Sequence, residues 1–98
     1  MMPAYVFFDI LEITNQQQME EYGRRIGLSV EQYGGRYLVR GGRLNVVEGD
    51  WHPALPVIIE FPSLEQAYQW YESKDYKELR ALRAGAAKLN AVFIEGVK

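Results

Sequence analysis

The sequence predicts an α+β domain: a four-stranded antiparallel sheet with its helices confined to one face. Strand-like and helix-like segments follow one another as strand, helix, strand, strand, helix, strand. The strand segments are rich in aromatic and β-branched residues, and the helical ones repeat their apolar residues at three- and four-residue spacing. Glycine or proline stands at several of the junctions. Ninety-eight residues suit one domain over residues 1–98, a size that buries only about 60–65% of its unfolded surface.

Residues 4–11, AYVFFDIL, form the first strand, apolar enough to be covered on both faces. In the following ITNQQQMEEYGRRIGLSVEQYGG, Thr14 or Asn15 caps a helix whose apolar stripe is Met19, Tyr22, Ile26, Val30 and Tyr33. Gly23 inside it costs up to about 1 kcal/mol relative to alanine. Gly34 and Gly35 supply the left-handed residue that ends it. Residues 36–40 make a second strand, and Gly41 and Gly42 turn the chain toward Arg43, Leu44, Val46 and Val47. EGDWHPALP (48–56) is an ordered loop, and VIIEF (57–61) the third strand. Ser63 caps the next helix, with Gln66 placed for a capping box. Leu64, Ala67, Tyr68 and Tyr71 share a face. The pattern resets at 73–75 and resumes with Tyr76, Leu79, Leu82 and Ala86, which predicts a broken helical pair. LNAVFIEGV (89–97) is the fourth strand. This βαββαβ order is that of ferredoxin-like domains, with strands in the spatial order four, one, three, two.

Thirteen acidic against eleven basic side chains leave a formal charge of −2, so no broad positive field favours nucleic acid. The absence of cysteine excludes disulfides, thiolate metal sites and a cysteine nucleophile, and suits a reducing, cytoplasmic setting. No run approaches the roughly 20 apolar residues of a membrane helix. The segment MMPAYVFFDIL lacks the basic start and cleavage site of a signal peptide.

Alternation places Val6, Phe8, Ile10, Val57, Ile59, Phe61, Val92 and Ile94 beneath the helices. The uncovered face then receives Tyr5, Phe7, Asp9, Ile58, Glu60, Ala91, Phe93 and Glu95, with Arg36, Leu38 and Arg40. Its apolar centre is expected to exceed the few hundred Å² that a monomer normally leaves in water. Burying about 500 Å² per subunit favours association by about 12 kcal/mol before entropy and polar desolvation are subtracted. The expected partner is therefore a second copy, face to face about a two-fold axis.

The segments GGRYLVRGG, VVEGDW-H-P, VIIEFPS, WYES-DY and RAGAA together resemble the family known as domain of unknown function 1330, in the dimeric α/β-barrel superfamily. The likeness spans essentially the whole chain. It implies the ferredoxin-like fold and a dimer whose sheets face each other as a barrel. It implies no established activity, since the wider superfamily includes cofactor-independent monooxygenases, lactone isomerases and haem enzymes.

Candidate chemistry gathers in two places. Arg36 and Arg40 lie roughly 13 Å apart along one strand, too far to clamp a single carboxylate, so Arg36 is expected to pair with Glu60 and Arg40 to point toward Asp9. The 48–52 loop holds Glu48, Asp50, Trp51 and the single histidine, His52. A cleft between the sheet face and the 48–52 loop would bind a small anionic or aromatic metabolite through Arg40, Trp51, Asp50 and Tyr37, with Arg40 orienting it and Trp51 stacking on it. In a cofactor-free isomerase or monooxygenase, His52 or Glu48 would move the proton. A third expectation is an assembly module whose sheet serves only association. One histidine with scattered carboxylates makes no metal pattern, no cofactor motif is present, and GGRYLVRGG lacks the order of a phosphate loop. Arg80, Arg83 and Lys88 near the last helix end are accounted for by the helix dipole.

Overall fold

The computed structural model describes residues 2–97. Its elements are β1 (Ala4–Ile13), α1 (Gln16–Gln32), β2 (Arg36–Arg40), β3 (Pro56–Phe61), α2 (Leu64–Glu72), α3 (Lys74–Ala84) and β4 (Ala87–Glu95). The strands form one antiparallel sheet in the order β2-β3-β1-β4, the ferredoxin-like arrangement expected from the chain. Extents of 34 × 33 × 16 Å describe two layers, a sheet and a helical cover.

Local chemistry sets each boundary. The Asn15 side chain accepts from the Gln18 amide and starts α1. At its other end Gly34, with φ of 79°, bonds back to the Glu31 carbonyl while Gly35 bonds to that of Val30, the double closure of a Schellman motif. Ser63 caps α2 by accepting from the Gln66 amide at 3.2 Å. The expected helix break falls at Ser73, which ends α2 and, through its hydroxyl, caps α3 at the Tyr76 amide.

The core lies between sheet and helices and is mainly aromatic. Val6, Phe8, Ile59 and Phe61 rise from the sheet to meet Tyr22, Ile26, Val30, Ala67, Trp70, Tyr76 and Leu79. Trp70 is fully buried, its ring 4.1 Å from Tyr76 and 5.2 Å from Phe61, and its indole N–H donates to the Ser29 hydroxyl.

Three expected placements are corrected by the structure. In β4, Val92 and Ile94 were expected beneath the helices and Phe93 on the open face; the register is the reverse. Phe93 lies opposite Val6 and packs against Tyr68 and Tyr71, while Val92 and Ile94 lie opposite Phe7 and Tyr5, half exposed. Residues 92–94 are apolar on both sides, so that end alone does not decide; over the whole strand Ala87, Leu89 and Ala91 share the side of Phe93, while Lys88 and Asn90 share that of Val92 and Ile94, in keeping with the observed register. In β2, Arg40 was expected on the same face as Arg36. A bulge at Leu38 adds one residue to the ladder, so Arg36 lies opposite Glu60 but Arg40 opposite Val57, on the helix side. Arg36 makes its expected ion pair with Glu60 at 2.8 Å, whereas Arg40 stacks over Tyr37 at 4.1 Å. Asp9 is only 4% exposed and takes no arginine. Its Oδ1 accepts from the Ala54 and Leu55 amides at 2.8 and 3.1 Å, fastening the end of the long loop to the sheet.

Gly35 is required by contact as well as by the turn. A Cβ there would lie 2.7 Å from both Phe61 and Val30. Gly35→Ala should therefore lower unfolding free energy by about 1–3 kcal/mol, measured by urea denaturation; an unchanged midpoint would contradict this packing.

Candidate functional site

The helical cover does not close completely. Between α1, α3 and the sheet lies a cavity of about 240 Å³. Its floor is Phe8, Ile10, Val57 and Leu89 from three strands, and its roof is Met19, Tyr22, Gly23 and Ile26 from α1. Tyr37 and Arg40 bound it from β2, and Arg83 from the last turn of α3. The rim includes the exposed Arg40, Gly41 and Leu55. The volume falls below the roughly 300–1,000 Å³ of sites for drug-sized ligands and suits a smaller molecule.

Polar chemistry in this apolar space is sparse and placed. Arg83 is 8% exposed, and no carboxylate among the described residues lies within ion-pair distance of it. Its Nε is buried without a hydrogen-bond partner, and its guanidinium stands 5.6 Å from the Phe8 ring and 5.9 Å from that of Tyr22. Beside it the Tyr22 and Tyr76 hydroxyls are 2.6 Å apart. Tyr76 is fully buried and lines no part of the cavity. Either hydroxyl can donate to the other, and the one that accepts keeps its own proton for a further acceptor.

Burial pushes the Tyr22 hydroxyl well above the usual tyrosine pKa, with the neighbouring Tyr76 raising it further and Arg83 opposing. Tyr76 is raised for the same first reason, again against Arg83. Tyr37 is raised by burial and drawn back by Arg40.

Of the residues expected at a site, Tyr37 and Arg40 line this cavity. Trp51 does not: it lies against Phe7 on the opposite face of the sheet, at 5.9 Å and two-thirds exposed. Glu48, Asp50 and His52 are exposed on the loop and line no part of the cavity. Arg40, Trp51 and His52 are thus not brought together. The residues that sequence reasoning passed over are Arg83, Tyr22 and Tyr76. One signal was legible: Tyr76, Leu79 and Arg83 follow helical spacing, which put a charge on a buried stripe.

Over residues 3–97 the sequence matches the family described as domain of unknown function (DUF1330). The chain belongs to the DUF1330 family. No curated protein matches it. Among solved structures, this DUF1330 chain is similar to a protein of unknown function from Rhodopseudomonas palustris, at 19% identity and a TM-score of 0.76, covering 99% of this chain and 84% of the other. A protein of unknown function from Bacteroides thetaiotaomicron, suggested as an oxidoreductase, superposes with a TM-score of 0.58 at 13% identity over 96% and 95% of the two chains. A candidate antibiotic biosynthesis monooxygenase from Nitrosomonas europaea gives 0.55 at 14% over 98% and 90%. At such identities the likeness concerns the fold.

The tyrosines of this DUF1330 site make an alkaline prediction. Below about pH 10 they are neutral in both folded and unfolded chains and leave stability independent of pH. Above it the unfolded chain releases protons that the folded one holds, so stability falls as pH rises. Urea unfolding between pH 8 and pH 11, a range bracketing the usual tyrosine pKa of about 10, should show that fall, and Tyr22→Phe should make it shallower.

Proposed function

We propose that this protein binds a small metabolite in the cavity between the helical layer and the sheet, and does so as a homodimer joined through the uncovered sheet face. The observation carrying the first part is an apolar cavity with polar groups confined to a few wall positions. That is the pattern by which binding sites combine affinity with orientation. Gly23 supports it. It sits mid-helix at a propensity cost, yet a Cβ there meets nothing within 4 Å, so neighbouring atoms do not demand a glycine. An absent side chain at that point keeps the cavity open.

The second part rests on the open face. Leu38, Val92 and Ile94 are 46–56% exposed beside the half-buried Tyr5, Phe7 and Ile58. One end of that face is already covered where Asp9 holds the loop and Trp51 lies on Phe7. We assign Trp51 to the interface, where a ring that is largely in water in one chain would be buried by another. A cofactor-free enzyme using His52 or Glu48 takes second place, because neither residue lines the cavity. A pure assembly module has no use for the cavity.

Gly23→Leu tests the cavity. It should leave thermal stability equal or higher, and should abolish the melting-temperature shift given by any small aromatic or aliphatic compound that raises the wild-type midpoint. A retained shift would put binding elsewhere. Sedimentation equilibrium at micromolar concentration should give twice the chain mass for wild type and one chain mass for Ile58→Glu, which places a charge in the middle of the apolar face. A monomeric wild type would refute the interface.

A further inference from the structure

We infer that the ligand of this cavity is a small monocarboxylate, its carboxylate held by Arg83 and Tyr22 and its apolar body lying along the sheet; this rests on the cavity being the binding site. Arg83 carries the inference. It is 92% buried, taking its exposure as 8%, and its charge has no carboxylate partner among the described residues. Uncompensated buried charge is among the costliest arrangements a small domain can hold. The helix dipole offers no sufficient reason for it. A cation at the last turn of α3 interacts with the terminal carbonyls equally well from the surface, and Arg80 of the same helix instead lies over Tyr71 at 4.3 Å. The Arg83 side chain is directed inward, among the rings of Phe8 and Tyr22.

The guanidinium identifies the headgroup. Nε and the adjacent terminal nitrogen of an arginine present two parallel N–H groups, a fork that matches the two oxygens of a carboxylate. Nε here is enclosed by protein and meets no acceptor, so the fork left to a ligand is that of the two terminal nitrogens. The Tyr22 hydroxyl lines the cavity and supplies a third donor to a bound carboxylate when Tyr76 donates to Tyr22. A phosphate dianion fits worse. It brings a second charge and more oxygens into a wall otherwise made of Phe8, Ile10, Met19 and Leu89, while Arg40 is exposed and stacked on Tyr37 at the rim.

The probes are benzoate and hexanoate, each set beside its neutral amide, with inorganic phosphate as the competing anion. Calorimetry and thermal shift on the full chain should give at least one acid a Kd tenfold or more below that of its amide, and phosphate no better than either acid. Arg83→Met should erase the acid preference while raising the melting temperature of the free protein by roughly 4 °C or more, because it removes a stranded charge and keeps the volume. Tyr22→Phe should weaken acid binding less than Arg83→Met does. Amides binding as well as acids, with Gly23→Leu abolishing both, would overturn the carboxylate assignment and keep the cavity. Tighter binding of phosphate would overturn it likewise. A lowered melting temperature in Arg83→Met would make the arginine structural and end the proposal. Failure of every acid and amide to bind at millimolar concentration would end both readings together.

Discussion

Trp70 keys the helical layer to the sheet, and most of the architecture depends on its burial. The indole takes Phe8 and Phe61 below it, Tyr71 and Tyr76 beside it, and donates its one proton to Ser29 of α1. Its carbonyl accepts from both the amide and the hydroxyl of Ser73, the residue at which α2 gives way to α3. One residue therefore fixes the distance of α1, the bend between the other helices and the height of the cover above the strands. Large rings suit this role in a chain so short, since each buries more surface than any aliphatic side chain.

Away from Trp70 the packing loosens, and three departures from local preference meet there. Gly23 interrupts good helix formers, the bulge at Leu38 turns Arg40 to the helix side, and Arg83 sits on a stripe otherwise taken by apolar residues. Each is unfavourable alone: a glycine in a helix, an unpaired ladder position, a buried cation. Their convergence on one space of about 240 Å³ gives them a common explanation in a site kept open and polar at one point.

The two faces of the sheet then divide the work. The helix side holds the core and, at one end, the cavity. The other side is apolar but shallow, with Glu60 and Arg36 paired at one end and Asp9 fastening the 54–55 backbone at the other. The long connection between β2 and β3, which carries Glu48, Asp50, Trp51 and His52, belongs to this second side through the contact of Trp51 with Phe7. Chemistry-bearing residues clustered in sequence are thus separated by the thickness of the sheet from the residues that line the cavity.

The sequence by itself determined the elements, their order and most of their ends, because caps, glycine closures and apolar spacing act within a few residues. Ser63 and the Gly34–Gly35 pair were legible in this way, Asn15 as one of two candidate caps, and the helix break at 73–75 from the reset of apolar spacing; the cap made by Ser73 was not. The pairing of Arg36 with Glu60 also followed from strand order alone. The way Phe93 faces could be read only from the whole of β4, where Lys88 and Asn90 mark the outer side; the 92–94 end is apolar on both sides, and there the structure shows Phe93 packed against Tyr68 and Tyr71. Only the tertiary structure decided the face of Arg40, since a single extra residue in a ladder inverts every side chain beyond it without marking the sequence. And it alone brought Tyr22, Tyr37, Arg40 and Arg83 together from three elements, for a cavity is a failure of distant surfaces to meet and is encoded in no local segment.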